Sequence, residues 1–233
     1  MEQQPERARK RGVWTKLAAV AAVLVVVLGA LGVAMVMTFA PTYEIPSEAM
    51  EPTLQGCSVC ENDHVVVDKL SYRFGTPQPG DVIVFTAPTA WYMPGATGEN
   101  DLVKRVIAVG GQTVECRADV GLTVNGKLLT EPYLDPATME ADPKAFPCLG
   151  NEFGPVDVPD GRLWVMGDNR THSADSRTYC RSAVPDIASG LMCTGDPSVG
   201  TVSVADVIGR VRAIAFPSAR RGLLAAVNPQ SGP

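Results

Sequence analysis

The apolar positions follow two different patterns along the chain. From Leu17 to Ala40 nearly every residue is apolar or small, and Thr38 is the exception. At about 1.5 Å of rise per residue, a helix of this length crosses a hydrocarbon layer of about 30 Å with some tilt. The pattern therefore predicts a transmembrane helix over residues 17–40. After it, the sequence breaks into short apolar runs separated by Gly, Pro and Asp.

The charges that flank this segment predict its orientation. Residues 1–16 form a basic tail and the residues that follow the segment are acidic: Arg7, Arg9, Lys10, Arg11 and Lys16 on one side, Glu44, Glu48 and Glu51 on the other. By the positive-inside rule, we expect the tail in the cytoplasm and everything after Thr42 outside, so that the chain crosses the cell membrane once. A cleaved secretory signal is the alternative, but its apolar part spans only about 7 to 15 residues and ends at a small-x-small site.

The short apolar runs after the segment recur with the spacing of an all-β domain. The candidate strands are His64–Asp68, Asp81–Phe85, Leu102–Val109, Leu122–Asn125, Leu163–Met166 and Val207–Phe216. The sequence therefore predicts an exterior domain of antiparallel β-sheet.

Turn signals and composition divide this exterior region further. Asn125 and Gly126 form the pair typical of a type I′ hairpin turn. Around this turn the composition changes to Pro, Asp and Gly, which indicates a smaller β-rich lobe inserted at about residues 111–161. We predict a main domain over residues 41–216 and a C-terminal tail over 217–233.

Six cysteines lie in the part predicted to be outside the cell, where thiols oxidise and stay oxidised. They are Cys57, Cys60, Cys116, Cys148, Cys180 and Cys193. Their even number favours structural disulfides, although sequence alone does not select the pairing. The pairs Cys57–Cys60 and Cys180–Cys193 close the shortest loops, and Cys116–Cys148 is the expected remainder.

The spacing of Cys57 and Cys60 also allows a redox motif or half of a zinc site. A thioredoxin-like motif opens a helix in a βαβ unit, but Pro52 and Gly56 precede this one and a strand-like run follows. A structural zinc site needs a second pair at tight spacing, and the other cysteines are scattered. We therefore expect no metal and no other cofactor. The formal net charge is −5 and no basic patch indicates a nucleic-acid partner.

Three separated segments carry the candidate chemistry. They are Ile45–Leu54, which reads Ile-Pro-Ser-Glu-Ala-Met-Glu-Pro-Thr-Leu, the pair Lys104-Arg105, and Gly167–Arg177. Together and in this order they resemble the bacterial type I signal peptidases, which are membrane-anchored Ser/Lys endopeptidases. The family pattern Pro-Ser-x-Ser-Met-x-Pro-Thr places its nucleophile, the second Ser, at Ala49. The resemblance also implies a second β-domain between the lysine and the Gly-Asp-Asn segment.

Lys104 is the candidate general base. Side chains alternate between the two faces of a strand, so Lys104 shares a face with Leu102 and Val106. An ammonium on an apolar face loses hydration, which lowers its pKa and lets the neutral amine accept a proton near neutral pH. A strand lysine that snorkels to solvent is the structural alternative.

The resemblance assigns further roles to matching positions. Ser47 matches the residue whose hydroxyl joins the backbone N–H of position 49 in the oxyanion hole, and Ser173 matches the serine that orients the general-base lysine. The supporting positions are Met50, Arg105, Asp168, Asp175 and Arg177. Asp175 and Arg177 form either an ion pair that shapes the loop or a plain surface pair of little energetic value.

The two histidines offer a second hypothesis for the chemistry. His172 lies close in sequence to Asp168 and Asp175, which are able to orient an imidazole in a Ser-His-Asp arrangement. The family places a polar residue without a catalytic role at this position. His64 lies in an apolar run beside Asp63 and is expected to be a strand or surface residue.

Ala49 decides what chemistry remains. A methyl group cannot attack a carbonyl, so no acyl-enzyme forms, and we expect the chain to be inactive or strongly impaired as a signal peptidase. Three explanations stay open. Ala49 is a deliberate substitution in an active enzyme, the chain is a natural non-catalytic paralogue that binds preproteins, or Ser47 has taken over the attack from the same side of an extended segment.

The resemblance also names the partners. The substrates are secreted preproteins with small residues at the first and third positions before the cut, bound as extended segments. The lipid bilayer is the second expected partner, because the loop Thr86–Asp101 contains Trp91-Tyr92-Met93 and amphipathic rings suit a membrane interface. Alternatively, these rings fold back on the domain.

Overall fold

In the computed structural model, the chain is described over residues 14, 16, 20–32, 35, 40–91, 101–137, 148, 152–180, 193 and 196–231. It divides into two units, Met1–Pro41 and Thr42–Pro233. In the first unit, residues 20–32 are helical. No helix in these described ranges is both long enough and apolar enough to cross a bilayer. Parts of the predicted span, including residues 17–19 and 36–39, lie outside the described residues, as does most of the basic tail.

The second unit is built from antiparallel strands, as the pattern of short apolar runs predicted. The strands are β1 (Thr42–Glu44), β2 (His64–Asp68), β3 (Val82–Thr86), β4 (Asp101–Val109), β5 (Thr113–Arg117), β6 (Gly121–Val124), β7 (Lys127–Leu128), β8 (Phe153–Asp157), β9 (Arg162–Met166), β10 (Val202–Ser203), β11 (Val207–Phe216) and β12 (Gly222–Leu223). Two short α-helices are Ser176–Tyr179 and Pro197–Gly200, and the 3-10 turns are Glu48–Met50, Ser71–Arg73, Thr89–Trp91, Val204–Asp206 and Ser218–Arg220.

The strands form two sheets. The larger one has eight strands in the order β1-β2-β11-β3-β4-β9-β10, with β12 paired to β11. The smaller one has the order β7-β6-β5-β8, and its four strands all fall in the segment where a smaller lobe was predicted. Strand β4 lies inside the larger sheet, where Lys104 is opposite Ile83 of β3 and Arg105 is opposite Met166 of β9. This register places the candidate base in the middle of a paired sheet rather than at an edge.

The hairpin predicted at Asn125 and Gly126 is confirmed. The turn joins β6 to β7 with Val124 paired to Lys127, and both central residues have positive φ, 51° for Asn125 and 73° for Gly126. Positive φ at both central positions is the geometry of a type I′ turn, which Asn-Gly adopts at low steric cost.

Within the described residues, three large apolar clusters and one small one make up the core of the second unit. The first lies under the smaller sheet, where Phe153 stacks on Trp164 with ring centroids 5.1 Å apart. The second contains Ile45, Met50 and Leu54, so the segment around position 49 is anchored by its apolar neighbours. The third cluster packs against the opposite face of the larger sheet and is built from Ile83, Phe85, Ala87, Trp91, Val106, Leu163, Val165 and Val202.

Trp91 belongs to this third cluster and does not serve as a membrane-facing ring. Its indole stacks on Tyr179 with centroids 4.6 Å apart and donates a hydrogen bond to the Val199 carbonyl over 2.9 Å. The alternative in which the ring folds back on the domain is therefore correct for Trp91. Tyr92 and Met93 lie outside the described residues.

Three disulfides are present, and their pairing is the one predicted from the sequence: Cys57–Cys60, Cys116–Cys148 and Cys180–Cys193. The Cys57–Cys60 pair closes a small loop held by Asn62, whose amide oxygen accepts from the Cys57 N–H over 2.9 Å. Among the described residues, no group of His, Cys, Asp or Glu is arranged to hold a metal ion.

The residues after Phe216 pack on the domain instead of extending from it as a tail. Gly222 and Leu223 form β12 against β11. Further along, Val227 packs beside Tyr133, and the Gln230 side chain donates to the Ile107 carbonyl over 2.9 Å.

Candidate active site

The segment that carries position 49 is a single 3-10 turn, Glu48–Met50. It begins at Ser47, which is extended with φ −137° and ψ 156°. Met50 is buried in the second apolar cluster and Ala49 is only 8% exposed, so this turn is fixed from below. It packs against β4, the strand that carries Lys104. The N–H groups in the first turn of a helix have no acceptor within it, and the N–H of Ala49 belongs to such a turn.

Lys104 is a buried cation without a counter-ion in contact. It is 4% exposed, and within the described residues its amine makes no hydrogen bond or ion pair. Burial lowers the pKa of Lys104 below its ordinary value, and the Arg177 charge lowers it further, while the charges of Asp175 and Asp168 oppose the shift. Lys104 is not a snorkelling surface lysine, because a snorkelling amine reaches solvent. The site thus favours a neutral amine that is able to accept a proton.

Arg105, on the opposite face of the same strand, is fully compensated. Its guanidinium bonds the Asp168 carboxylate twice, over 2.8 and 2.6 Å, and donates to the Gly80 carbonyl over 2.9 Å. Thr53 also donates to Asp168. Since Thr53 follows position 49 by one turn, this cluster joins all three of the segments identified in the sequence.

The Asp168 carboxylate fixes a tight turn, Gly167–Arg170, that supports position 49. Within this turn the Asn169 N–H donates to the Ala49 carbonyl over 3.2 Å. Gly167 packs so closely that an added Cβ would lie 2.4 Å from the Ala49 carbonyl oxygen and 2.3 Å from Ser173 Oγ. Only glycine fits here, because real Cβ atoms do not approach other atoms at these distances. This close packing brings Ser173 Oγ and the Ala49 carbonyl oxygen against the same residue, Gly167.

The Ser173 hydroxyl is buried beside the Asp175 carboxylate. Its Oγ makes no hydrogen bond of ordinary geometry within the described residues, but it is close enough to Asp175 to help lower the pKa of that carboxyl. A buried hydroxyl without such a bond is unusual, since most buried polar groups are paired. The orientation of Lys104 by Ser173, which the resemblance implies, stays a prediction.

Asp175 and Arg177 form a buried pair, which excludes the interpretation of a plain surface pair. Arg177 Nε and Nη2 reach the two Asp175 oxygens over 2.9 and 2.8 Å. Asp175 also accepts from the Gly167 N–H over 3.0 Å and from the Arg177 N–H at the start of the helix Ser176–Tyr179. Burial by itself raises the pKa of Asp175, but the Arg177 charge and these hydrogen bonds outweigh it, so that the pKa is lowered.

The histidines do not build a triad. His172 is exposed, and its Nδ1 lies 2.9 Å from Thr171 Oγ1 and 3.3 Å from Asn169 Oδ1. Among the described residues, no contact joins it to Asp168 or Asp175. His64 is a strand residue that meets Phe216 edge to face, with centroids 5.6 Å apart.

Ser47 has the exposure that a substrate-binding hydroxyl needs. Its side chain is exposed and makes no capping hydrogen bond to the turn that follows. Its backbone is held by Gly56, where an added Cβ would lie 2.7 Å from the Ser47 nitrogen and oxygen. The hydroxyl is thus free while the main chain is fixed.

Four residues of the site were missed in the sequence. Arg170 is buried and pairs with Glu131 through two hydrogen bonds, and its Nε donates to the Gly167 carbonyl over 3.1 Å. Tyr133 covers Arg105 with its ring, whose centroid lies 3.9 Å from the guanidinium carbon. Asp63, the fourth, is buried and pairs with Arg220 over 2.9 Å, which braces the loop after position 49. Arg170 was visible in the Gly-Asp-Asn segment, but no sequence signal marks the other three.

A polar cavity of about 250 Å³ adjoins this arrangement. Its walls come from the turn after position 49, from the Gly167–Arg170 turn and from the segment near Tyr133. The lining residues are Glu51, Pro52, Gln55, Leu134, Asp135, Asp168, Asn169, Arg170 and Arg220. The site is therefore apolar on the side of Met50 and polar on the side of Asn169.

Comparison with known proteins gives consistent matches over most of the chain. A family model described as "Signal peptidase, peptidase S26" matches residues 14–216. The chain is 56% identical over 234 residues to the signal peptidase I of Mycobacterium tuberculosis, a match that covers 91% of this chain and 76% of that protein. It is 54% identical to a probable signal peptidase I of Mycobacterium leprae, over 91% of this chain and 80% of that protein. Signal peptidase I S of Bacillus subtilis is 35% identical over 70% of this chain and 77% of its own length.

Proposed function

This chain belongs to the signal peptidases of peptidase family S26, and from that premise we propose that it binds secreted preproteins on a signal peptidase I scaffold but lacks, at Ala49, the hydroxyl that cuts them. The observation that carries the proposal is the state of Lys104. A buried amine without a partner is costly for folding, and the chain retains it on β4, the strand that packs against the turn of Ala49.

The residues around position 49 are suited to acyl transfer once a hydroxyl is present. The neutral Lys104 amine takes the proton of that hydroxyl, whose oxygen then attacks the carbonyl carbon of the scissile peptide. The N–H of residue 49 and the Ser47 hydroxyl donate to the oxyanion that forms, and each such donor contributes about 10²- to 10³-fold in rate. The Lys104 ammonium then gives the proton to the leaving amine. With alanine at position 49 the first step has no attacking atom.

Strand β1 supports the way in which a preprotein binds. It is the terminal strand of the larger sheet, so its outer edge has no strand partner among the described residues, and it leads directly to Ser47. An extended signal peptide is able to add to such an edge through main-chain hydrogen bonds. Ile45, Met50 and Leu54 anchor the segment that follows this edge, and we expect the small residues before the cut to lie over that segment.

The proposal includes a membrane tether. The apolar segment of residues 17–40 and the basic tail before it support a location of the second unit on the outer side of the cell membrane, where preproteins emerge. The three disulfides of the second unit agree with this location, because disulfides persist in oxidising compartments.

The test compares the chain with its Ala49→Ser variant on a model preprotein that has small residues at the first and third positions before the cut. We expect the chain to bind this preprotein without cutting it, and Ala49→Ser to raise the cleavage rate by about 10⁴-fold or more. Cleavage is read by mass spectrometry of the products and binding by fluorescence titration.

Ser47→Ala in both backgrounds separates the remaining explanations. If Ser47 has become the nucleophile, the unsubstituted chain cleaves and Ser47→Ala stops it. If the unsubstituted chain cleaves and Ser47→Ala leaves the rate unchanged, the assignment of position 49 is wrong. An Ala49→Ser variant that binds but never cleaves favours a paralogue whose site has lost catalysis at more than one position.

A further inference from the structure

Tyr133 comes from the segment after β7, far in sequence from the three motif segments. It is only 8% exposed, and its ring lies over the Arg105 guanidinium with the centroid 3.9 Å away. Its hydroxyl donates to Glu131 over 2.8 Å. Burial raises the pKa of Tyr133 well above its ordinary value, and the Glu131 charge adds to this, so the phenol stays a hydrogen-bond donor.

Two chains of contacts lead from Tyr133 to the same turn. In the first, the ring covers Arg105, which holds Asp168 through two hydrogen bonds. In the second, the hydroxyl holds Glu131, which pairs with the buried Arg170. Asp168 and Arg170 are both members of the Gly167–Arg170 turn, so both chains of contacts fix the turn that contacts position 49.

The turn then fixes position 49 relative to the general base. The Asn169 N–H holds the Ala49 carbonyl, and Gly167 is packed against the same oxygen. Arg105, at the other end of the chain of contacts, directly follows Lys104 in β4. Tyr133 therefore influences the distance between residue 49 and the Lys104 amine through two contacts. One leads through Glu131 to the Gly167–Arg170 turn, and the other is its contact with Arg105.

Tyr133 is itself held from behind by residues near the end of the chain. It forms a small apolar cluster with Leu134 and Val227. The Thr130 N–H donates to the Pro229 carbonyl over 2.9 Å. The backbone of Val227 is packed against Gly80, whose carbonyl accepts a hydrogen bond from Arg105. Tyr133 thus packs between the C-terminal segment around Val227 and the Arg105 guanidinium that it covers.

We propose that Tyr133 is a positioning residue for signal peptide cleavage: by covering Arg105 and holding Glu131 it fixes the Gly167–Arg170 turn, and through that turn the geometry between residue 49 and Lys104. The inference rests on the proposed function. It assigns Tyr133 no contact with substrate, because neither the open edge of β1 nor the apolar cluster that anchors the segment after it includes Tyr133.

This arrangement predicts a loss of turnover without a loss of binding. A displacement of about 1 Å in a reacting group costs up to about 10²-fold in rate. In the proposed binding mode the preprotein adds to the outer edge of β1, a strand that is not part of the cluster around Tyr133. If Tyr133 only stabilised the fold, its loss would lower stability, with no reason for kcat to fall while KM stays unchanged. A fall in kcat at constant KM is therefore the decisive result.

The experiment uses the full chain in two backgrounds. In Ala49→Ser we expect Tyr133→Leu to lower kcat by at least about tenfold, with KM within about twofold. Tyr133→Phe keeps the ring over Arg105 and removes the bond to Glu131, so a loss of about fivefold in kcat is expected. In the unsubstituted chain, which cannot turn over substrate, the same variants are expected to bind a peptide spanning the cut with unchanged Kd.

Tyr72 supplies the matched control. Its hydroxyl also donates to a carboxylate, that of Asp81 over 2.8 Å, and its ring packs against the third apolar cluster without contacting the Gly167–Arg170 turn. Tyr72→Phe and Tyr72→Leu are expected to leave kcat within about twofold of the Ala49→Ser parent, because Tyr72 does not contact the turn that supports position 49.

The outcomes separate the inference from the function on which it rests. If the Ala49→Ser parent does not cleave, the proposal that only the hydroxyl at position 49 is missing fails, and the inference fails with it. If the parent cleaves and Tyr133→Phe and Tyr133→Leu keep its kcat, or raise KM alone, the inference is overturned and the function stands. If Tyr133→Leu does not fold, Tyr133→Phe decides, and an unchanged kcat in that variant overturns the inference.

Discussion

Lys104 and Arg105 are neighbours in β4 and lie on opposite faces of that strand. The positive charge has a bonded partner on one face and none on the other. Both side chains are buried, with 4% and 2% exposure. Lys104 lies on the face with the third apolar cluster and has no bonded partner among the described residues. Arg105 has Asp168, Gly80 and the ring of Tyr133 around it. The difference agrees with the proposal that the compensated cation, Arg105, serves the structure and the uncompensated one, Lys104, serves the chemistry.

The choice of residue on each face follows from how the two cations titrate. A guanidinium keeps its charge under all ordinary conditions, so Arg105 can be buried only with a carboxylate such as Asp168. An ammonium is able to lose its proton when burial makes the charge costly. The pKa of Lys104 is lowered by burial, whereas that of Arg105 is raised because the bonds to Asp168 outweigh burial.

The most direct way to break the comparison is to remove the uncompensated cation. In the Ala49→Ser background we expect Lys104→Met to lower the cleavage rate by about 10⁴-fold or more, because the general base is gone. The same variant is expected to unfold at a higher urea concentration, since an apolar side chain of similar length replaces a buried amine. Retained cleavage with an unchanged unfolding midpoint contradicts the role assigned to Lys104.

Removal of the compensated cation has the reverse consequence. Arg105→Met leaves the Asp168 carboxylate buried and unpaired, and we expect the free energy of unfolding to fall by about 3–5 kcal/mol. The double variant Arg105→Met/Asp168→Leu removes both charges, so it is expected to recover much of that loss in urea unfolding. A double variant that is no more stable than Arg105→Met shows that the pair is not the source of the effect.

The smallest effect, and the one that sharpens the comparison, is the dependence on pH. The folded-state pKa of Lys104 lies below 10.5, so between these two values the unfolded chain binds a proton that the folded chain has lost. Stability therefore rises with pH across this window, by up to about 1.4 kcal/mol for each pH unit, and levels off above 10.5. Cleavage by Ala49→Ser is expected to rise with pH through the same lowered pKa.

Lys104→Met is the control for that dependence. Urea unfolding of the chain and of Lys104→Met is compared at several pH values between neutral and 10.5. The variant is expected to lack the rise in stability that Lys104 causes. If the free energy of unfolding changes with pH in the same way in both proteins, the titrating group is not Lys104.

Alternation of apolar residues was sufficient to predict the strands that carry the site. β2 and β11 begin and end where the sequence predicted, because each is a regular run between turn residues. Short loop length favoured Cys57–Cys60 and Cys180–Cys193, and Cys116–Cys148 was the expected remainder; the structure has all three pairs. β8 was missed because Gly154 and Pro155 interrupt it, and such residues are typical of loops.

The three motif segments were predicted, but the contacts that join them were not. Nothing in the sequence relates Tyr133 to Arg105 or Glu131 to Arg170, because these pairs form between distant segments and carry no periodic signal. Trp91 was ambiguous for a similar reason: an aromatic ring in a Pro-rich loop suits a membrane surface and a core equally well, and only the position of Tyr179 decides between them.

The contacts between the C-terminal residues and the segment around Tyr133 have a consequence for the order of folding. Gln230 meets Ile107 and Gln112 across 123 and 118 residues of chain. Contacts between such distant residues form late, because closure of a long loop must precede them. The sheet around β4 is therefore expected to assemble before the cover over Arg105 closes. The arrangement of position 49 against β4 is then the last feature that the folding chain acquires and the first that local opening removes.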